Sequence, residues 1–233
     1  MLAISTLSPA FAASSTPDVE WLTSEHPVSY PEAVHRMEQR VAEIARGEAR
    51  ECIWLLEHPP LYTAGTSADF AELIETGRFP VFKTGRGGRF TYHGPGQRVA
   101  YVMLDLSRRR RDVRVFVTSL ENWLIAALAQ LGVAGVRCPN QIGIFVDGAK
   151  IASIGVRLRR WVSLHGVSLN VAPDLEHFSG IVPCGLKDVP VTSLEALGAK
   201  TDLAVVDAAL RAAFAEVFGD GRASPIPADH LEA

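Results

Sequence analysis

The chain has 233 residues, of which 48% are apolar and 21% charged. That is long enough to bury a sizeable core and too apolar for wholesale disorder. A formal net charge of −3, from 23 basic and 26 acidic residues, excludes a global pull towards nucleic acid or membrane and leaves steering to local patches. The three cysteines, Cys52, Cys138 and Cys184, form no Cys-x-x-Cys pair and no His/Cys cluster. Neither a metal site nor a disulfide framework is expected, and a reducing, cytoplasmic setting suits such free thiols.

Residues 1–18 read as a flexible N-terminal extension. Ala10-Phe11-Ala12-Ala13 has the look of a signal-peptide cleavage site, but no Lys or Arg precedes Arg36, so the basic start of an export signal is missing. No apolar run approaches the ~20 residues of a membrane span. From Pro31 to Gly47, Ala33, Val34, Met37, Val41 and Ile44 fall at helical spacing. Cys52 to Leu56 reads as a buried strand that His58-Pro59-Pro60 cuts off. The Gly- and Arg-dense stretch from Lys83 to Gln97 reads as loop, followed by a strand at Val99 to Asp105 and an arginine run at Arg108 to Arg111.

Val117, Leu120, Leu124, Leu128 and Leu131 mark the strongest helix, closing at Gly132. Ile144 to Val146 and Ala149 to Leu158 predict a hairpin across Asp147-Gly148, a favoured turn pair. A strand at Trp161 to Val171 and a helix at Leu203 to Phe218 complete the pattern. Strands are adjacent and look antiparallel, without regular alternation with helices, which predicts an α+β fold. Residues 19–219 form one domain on this reading, and 220–233 a tail.

Three segments carry candidate chemistry. The string from Arg86 to Gln97 mixes glycines, which let backbone approach a ligand, with donors (Arg86, Arg89, Thr91, His93) and apolar rings (Phe90, Tyr92). It suits a substrate that is part lipid and part polar, or equally a solvated turn, and it lacks the order of a nucleotide-binding P-loop. In Lys150 to Arg157, strand alternation groups Lys150, Ala152 and Ile154 on one face and Ile151, Ser153 and Gly155 on the other. A lysine beside small and apolar residues can serve as a base, whereas one just after an Asp-Gly turn commonly sits at the wet end of a hairpin. In Ile181-Val182-Pro183-Cys184-Gly185-Leu186, Pro and Gly flank a thiol that is either an accessible nucleophile or a small buried hydrophobe. Cys52 and Cys138 read as the latter, and His58 as structural. His165 is either a partner for a cysteine or a structural hydrogen bonder.

Together and in this order, the segments resemble the lipoyl(octanoyl) transferase family, which is related to biotin and lipoate protein ligases. Arg86 to Gln97 resembles that family's Arg-Gly-Gly-x-x-Thr-x-His-x-Pro-Gly-Gln signature, and Lys150 to Arg157 its lysine strand. His165-Gly166-Val167-Ser168-Leu169-Asn170-Val171 and Pro183-Cys184-Gly185 follow at the family's spacing. Leu56 to Thr63 and Val191 to Leu194 are similar to further family strings, and the resemblance spans Val19 to Phe218.

The resemblance implies a mixed, largely antiparallel sheet with packed helices and a smaller second sheet. It also implies a dyad of Cys184 and Lys150. The substrate pocket would be lined by Arg86, Gly87, Gly88, Arg89, Phe90, Thr91, Tyr92 and His93, by Ser153, Ile154 and Gly155, and by Gly166, Val167 and Ser168, with Phe90, Ile154 and Val167 as walls for an acyl chain. It implies two-step octanoyl transfer from octanoyl-acyl carrier protein, through acyl-Cys184, to a lysine of lipoyl domains, those of 2-oxoacid dehydrogenase complexes and of the glycine-cleavage H protein. No cofactor, nucleic acid or membrane is expected. An ATP-dependent lipoate or biotin ligase is the alternative that shares the fold. Arg108 to Arg111, with Arg114, read as a docking patch for acidic carriers or as a solvated basic turn.

Overall fold

The computed structural model describes residues 19–182 and 189–219. Cys184, the N-terminal extension at 1–18 and the tail at 220–233 lie outside the described residues. Among the described residues, ten strands form two sheets. The larger sheet runs β1(Glu20–Thr23), β2(Cys52–Leu56), β6(Gln97–Met103), β10(Val162–Asn170), β9(Ala149–Arg159), β8(Gln141–Val146), β7(Val136–Cys138). Only its β1–β2 edge is parallel. The smaller sheet runs β4(Val81–Lys83), β3(Leu61–Ala64), β5(Phe90–His93). The fold is thus α+β with mixed sheets.

Alternation along β2 and β6 divides the core. Ile53, Leu55, Ala100 and Val102 face α2(Val113–Gln130) and α3(Leu203–Phe218), around the fully buried Trp123. Cys52, Trp54, Leu56, Val99, Tyr101 and Met103 face α1(Tyr30–Arg46), meeting Ala33, Met37, Val41 and Ile44. Each such fully buried aliphatic side chain contributes roughly 1.5–3 kcal/mol. A third cluster, with Tyr62, Phe90, Tyr92 and Phe178, backs the small sheet.

The helices form where apolar spacing predicts them. The Asp147-Gly148 turn forms as well, with φ of 49° and 81°, the left-handed pair of a tight hairpin. The stretch from Lys83 to Gln97 departs from the sequence reading, since Phe90–His93 is a strand antiparallel to β3. Strong turn residues on both sides hide four residues of β-forming character. Arg109 departs too. It makes a two-pronged salt bridge to the buried Glu51, with Nη2 2.7 Å from Oε2, and so is not part of a solvated turn.

Candidate active site

A cavity of about 490 Å³ opens between the two sheets. Its walls come from the loop Arg86–Arg89, from Thr91 and His93 on β5, from Ser153–Val156 on β9 and from His165–Ser168 on β10. Two of the three candidate segments, Arg86 to Gln97 and Lys150 to Arg157, therefore meet around one space together with His165–Ser168. Of the third, Ile181 and Val182 are not among the walls, and Cys184 lies outside the described residues.

Lys150 forms part of the wall and is only 5% exposed, which excludes the wet hairpin end. Its Nζ donates to Ile142 O at 2.9 Å and lies 5.6 Å from the Phe145 ring centroid. A register shift between β8 and β9 pairs Phe145 with Lys150 but Ile144 with Ala152. Simple alternation fails there, and Ile151 and Ala152 both enter the large core. The backbone of Lys150 is also fixed, its N–H donating to Pro190 O and its C=O accepting from Thr192 N.

Arg86 organises the glycine-rich loop. It is buried and donates through Nη1 to Gly87 O and through Nη2 to Thr63 O, Thr63 Oγ1 and Arg89 O, all within 3.0 Å. Gly155 leaves room for it: a Cβ there would stand 2.8 Å from Arg86 Cδ. Arg89 pairs with Glu72, whose backbone carbonyl accepts from Val182 N at 2.8 Å. The loop is so tied to the chain just ahead of Cys184.

Phe90 and Tyr92 are not walls of the cavity. Alternation on β5 turns Thr91 and His93 to the cavity and sends Phe90 and Tyr92 into the small-sheet cluster, where Tyr92 Oη bonds His177 Nδ1. Sequence reasoning missed Tyr30, Ser67, Val99, Tyr101, Val113, Val117 and Asn140–Ile142, which complete the walls. They come from distant segments, and no motif joins them.

The imidazoles around the cavity are neutral. Burial, then His58, pulls His93 down to about 3. The Gln97 amide donates Nε2–H to Tyr92 O and Asn170 Oδ1, so its Oε1 accepts from His93 Nδ1 at 2.6 Å. Burial, then Arg86 and Arg157, pulls His165 down to about 4. His165 sits at φ 61°, an uncommon conformation inside a strand, and its N–H donates to Met37 Sδ instead of a carbonyl. His58 is structural: Nδ1–H donates to Val28 O, so Nε2 accepts from the Tyr101 hydroxyl at 2.8 Å.

Cys52 is buried in β2, and burial pushes its thiol up to about 11, the behaviour of an inert core cysteine. Cys138 sits half-buried on β7. Asp174, Glu176 and His177 gather within ligand distance of one another, but Arg78 already pairs with Glu176 and Tyr92 bonds His177. Among the described residues no helix is long and apolar enough to cross a membrane.

Residues 29–215 match the family described as the lipoyl protein ligase A/B catalytic domain. The octanoyltransferase of Paramagnetospirillum magneticum is 59% identical over 206 residues, covering 86% of this chain and 97% of that one. That of Caulobacter vibrioides is 61% identical over 209 residues, covering 86% and 92%. In fold, the chain is similar to a bi-partite lipoate protein ligase from Thermoplasma acidophilum, at 16% identity and TM-score 0.64, covering 91% of this chain and 89% of that one. A match over most of the chain, with relatives near 60% identity along nearly their whole length, means that the chain belongs to the lipoyl(octanoyl) transferase family of acyltransferases.

Proposed function

We propose that this enzyme performs its octanoyl transfer in two steps, from octanoyl-acyl carrier protein to Cys184 and from Cys184 to the lysine of a lipoyl domain. In the first step Lys150 takes the proton of the Cys184 thiol or holds its thiolate as an ion pair. The thiolate attacks the thioester carbonyl, the carrier's phosphopantetheine thiolate leaves, and the proton goes to it. In the second step the lysine amine attacks the acyl-Cys184 thioester and expels the Cys184 thiolate. An amide forms, and the amine gives up a proton. Thioester exchange is near balance and amide formation runs downhill, so no ATP is required.

The observation that supports this reading is the bonding of Val182 and Pro190, described residues on either side of Cys184 in the chain, to groups at or beside the cavity wall. Val182 is bonded to Glu72, the partner of the cavity-lining Arg89, and Pro190 to the backbone of Lys150 itself. Cys184 follows Val182 by two residues in the chain. A cavity with apolar walls at Val99, Val113, Val117, Ile154 and Val167 and polar groups at Thr91, His93 and Ser168 suits an acyl chain ending in a thioester.

The test is steady-state transfer from octanoyl-acyl carrier protein to an apo lipoyl domain without ATP, varying both substrates. The two-step mechanism gives parallel double-reciprocal lines. Activity that requires ATP and survives Cys184→Ala would replace it with a ligase mechanism.

A further inference from the structure

The hairpin joining β9 to β10 closes on Arg160 and Trp161, at φ of 53° and 66°. A two-residue turn of this kind favours Asn-Gly, because side chains with a full Cβ crowd the backbone at positive φ. Here the two positions hold a long cation and the largest aromatic. The indole is left 37% exposed. Nothing in the folding of a hairpin calls for that choice, and backbone held in such a conformation commonly marks a functional surface.

This turn lies beside the arginine run. Leu106 N donates to Trp161 O at 2.8 Å, Asp105 bridges Val162, and the Arg111 guanidinium stands 5.7 Å from the Trp161 ring. Segments 105–114 and 157–161 together hold eight arginines against two aspartates, in a chain whose net charge is −3. Arg109 is spent on the buried Glu51. Arg108, Arg110, Arg111, Arg159 and Arg160 are exposed, Arg108 and Arg110 within 3.4 Å of Asp105 and Asp112. Arginine and tryptophan are the side chains that contribute most at the centre of protein interfaces.

The patch also borders the cavity on two sides. The run leads directly into Val113 and Val117 of α2, and β9 passes from the cavity wall at Val156 to Arg159 in about 10 Å of strand. We propose that the Arg160-Trp161 hairpin tip and the exposed arginines of 108–111 dock the acidic domain that delivers the acyl thioester on its flexible arm. The claim rests on the two-step reading above and adds to it where the donor sits. A folded acidic domain fits better than nucleic acid, because both arginine segments run on from walls of an acyl-sized cavity, at Val113 and at Val156.

The test compares octanoyl-acyl carrier protein with octanoyl-coenzyme A, which has the same thioester arm and no protein domain. The variants are Arg110→Ser/Arg111→Ser/Arg160→Asn and Trp161→Asn, asparagine being tolerant of positive φ. The carrier's KM is expected to rise at least tenfold at low salt, with flattened salt dependence, while kcat and KM for octanoyl-coenzyme A stay within twofold of wild type. An unchanged carrier KM at low salt overturns the proposal, as does an equal effect on both thioesters. If wild type transfers from neither thioester, the two-step reading fails, and the docking is read separately by titrating unacylated carrier at low salt. Tenfold weaker binding by the variants upholds the patch; equal binding, or tighter binding of a single-stranded RNA than of the carrier, removes it.

Discussion

Lys150 lies across the face of Gly143. A Cβ on that glycine, whose φ is 128°, would stand 2.6 Å from Lys150 Cε and 2.6 Å from Ala152 O. The glycine, the register shift beside it and the bond from Lys150 Nζ to Ile142 O form one device that turns the lysine into the cavity wall.

Gly143→Ala is therefore expected to reduce transfer more than tenfold and to cost roughly 1–3 kcal/mol of stability through backbone strain. Gly148→Ala, with nothing within 4 Å of its added Cβ, serves as the control. It strains one turn residue, costs about 1 kcal/mol and leaves turnover alone. Turnover numbers and melting temperatures of both variants decide. A Gly143→Ala enzyme at the wild-type rate would show that the position of Lys150 is not set this way.

The protein is expected to lose stability as pH falls from 6.5 to 5. His93 and His165 have folded pKa values depressed to about 3 and about 4, and burial lowers His58 as well. Between those values and the ordinary 6.5, the unfolded chain holds more protons than the folded one, so stability is full above 6.5 and declines below it. Each such histidine adds about 1.4 kcal/mol per pH unit to the slope. Urea midpoints at several pH values measure it. His165→Asn, which keeps a side chain suited to φ 61°, should remove one proton's worth of the slope. An unchanged slope would mean that His165 is not buried neutral.

Local features were legible in the sequence, and distant pairings were not. The α1 and α3 boundaries and the Asp147-Gly148 turn follow from periodicity and turn chemistry within a few residues. β5 was hidden by the glycines around it, and with it the alternation that turns Phe90 away from the cavity. The bulge that brings both Ile151 and Ala152 into the core depends on β8 as much as on β9. Arg109 looked solvated because Glu51 lies 58 positions away in the chain. Tyr30 and Tyr101 reach the cavity from segments that no motif connects.

Arg86→Lys is expected to loosen the glycine-rich loop without unfolding the chain. The guanidinium serves three carbonyls and the Thr63 hydroxyl from two nitrogens, a planar fork that a single ammonium does not reproduce. Leaving some of those acceptors unbonded should cost on the order of 1–3 kcal/mol. Amide exchange at Gly87 and Gly88 should quicken and the KM for the acyl donor should rise. Wild-type exchange in the variant would argue that the loop is held by its backbone alone.

The central claim is that octanoyl transfer passes through Cys184 with Lys150 as its activator. Its most direct test is the intact mass of the protein after mixing with octanoyl-acyl carrier protein in the absence of ATP, for wild type, Cys184→Ala and Lys150→Met. The two-step account predicts an octanoyl adduct on wild type that apo lipoyl domain removes, none on Cys184→Ala, and formation slowed by about 10² or more on Lys150→Met. A well-folded wild type that transfers octanoyl groups without ever carrying one, or an adduct that persists in Cys184→Ala, would contradict it.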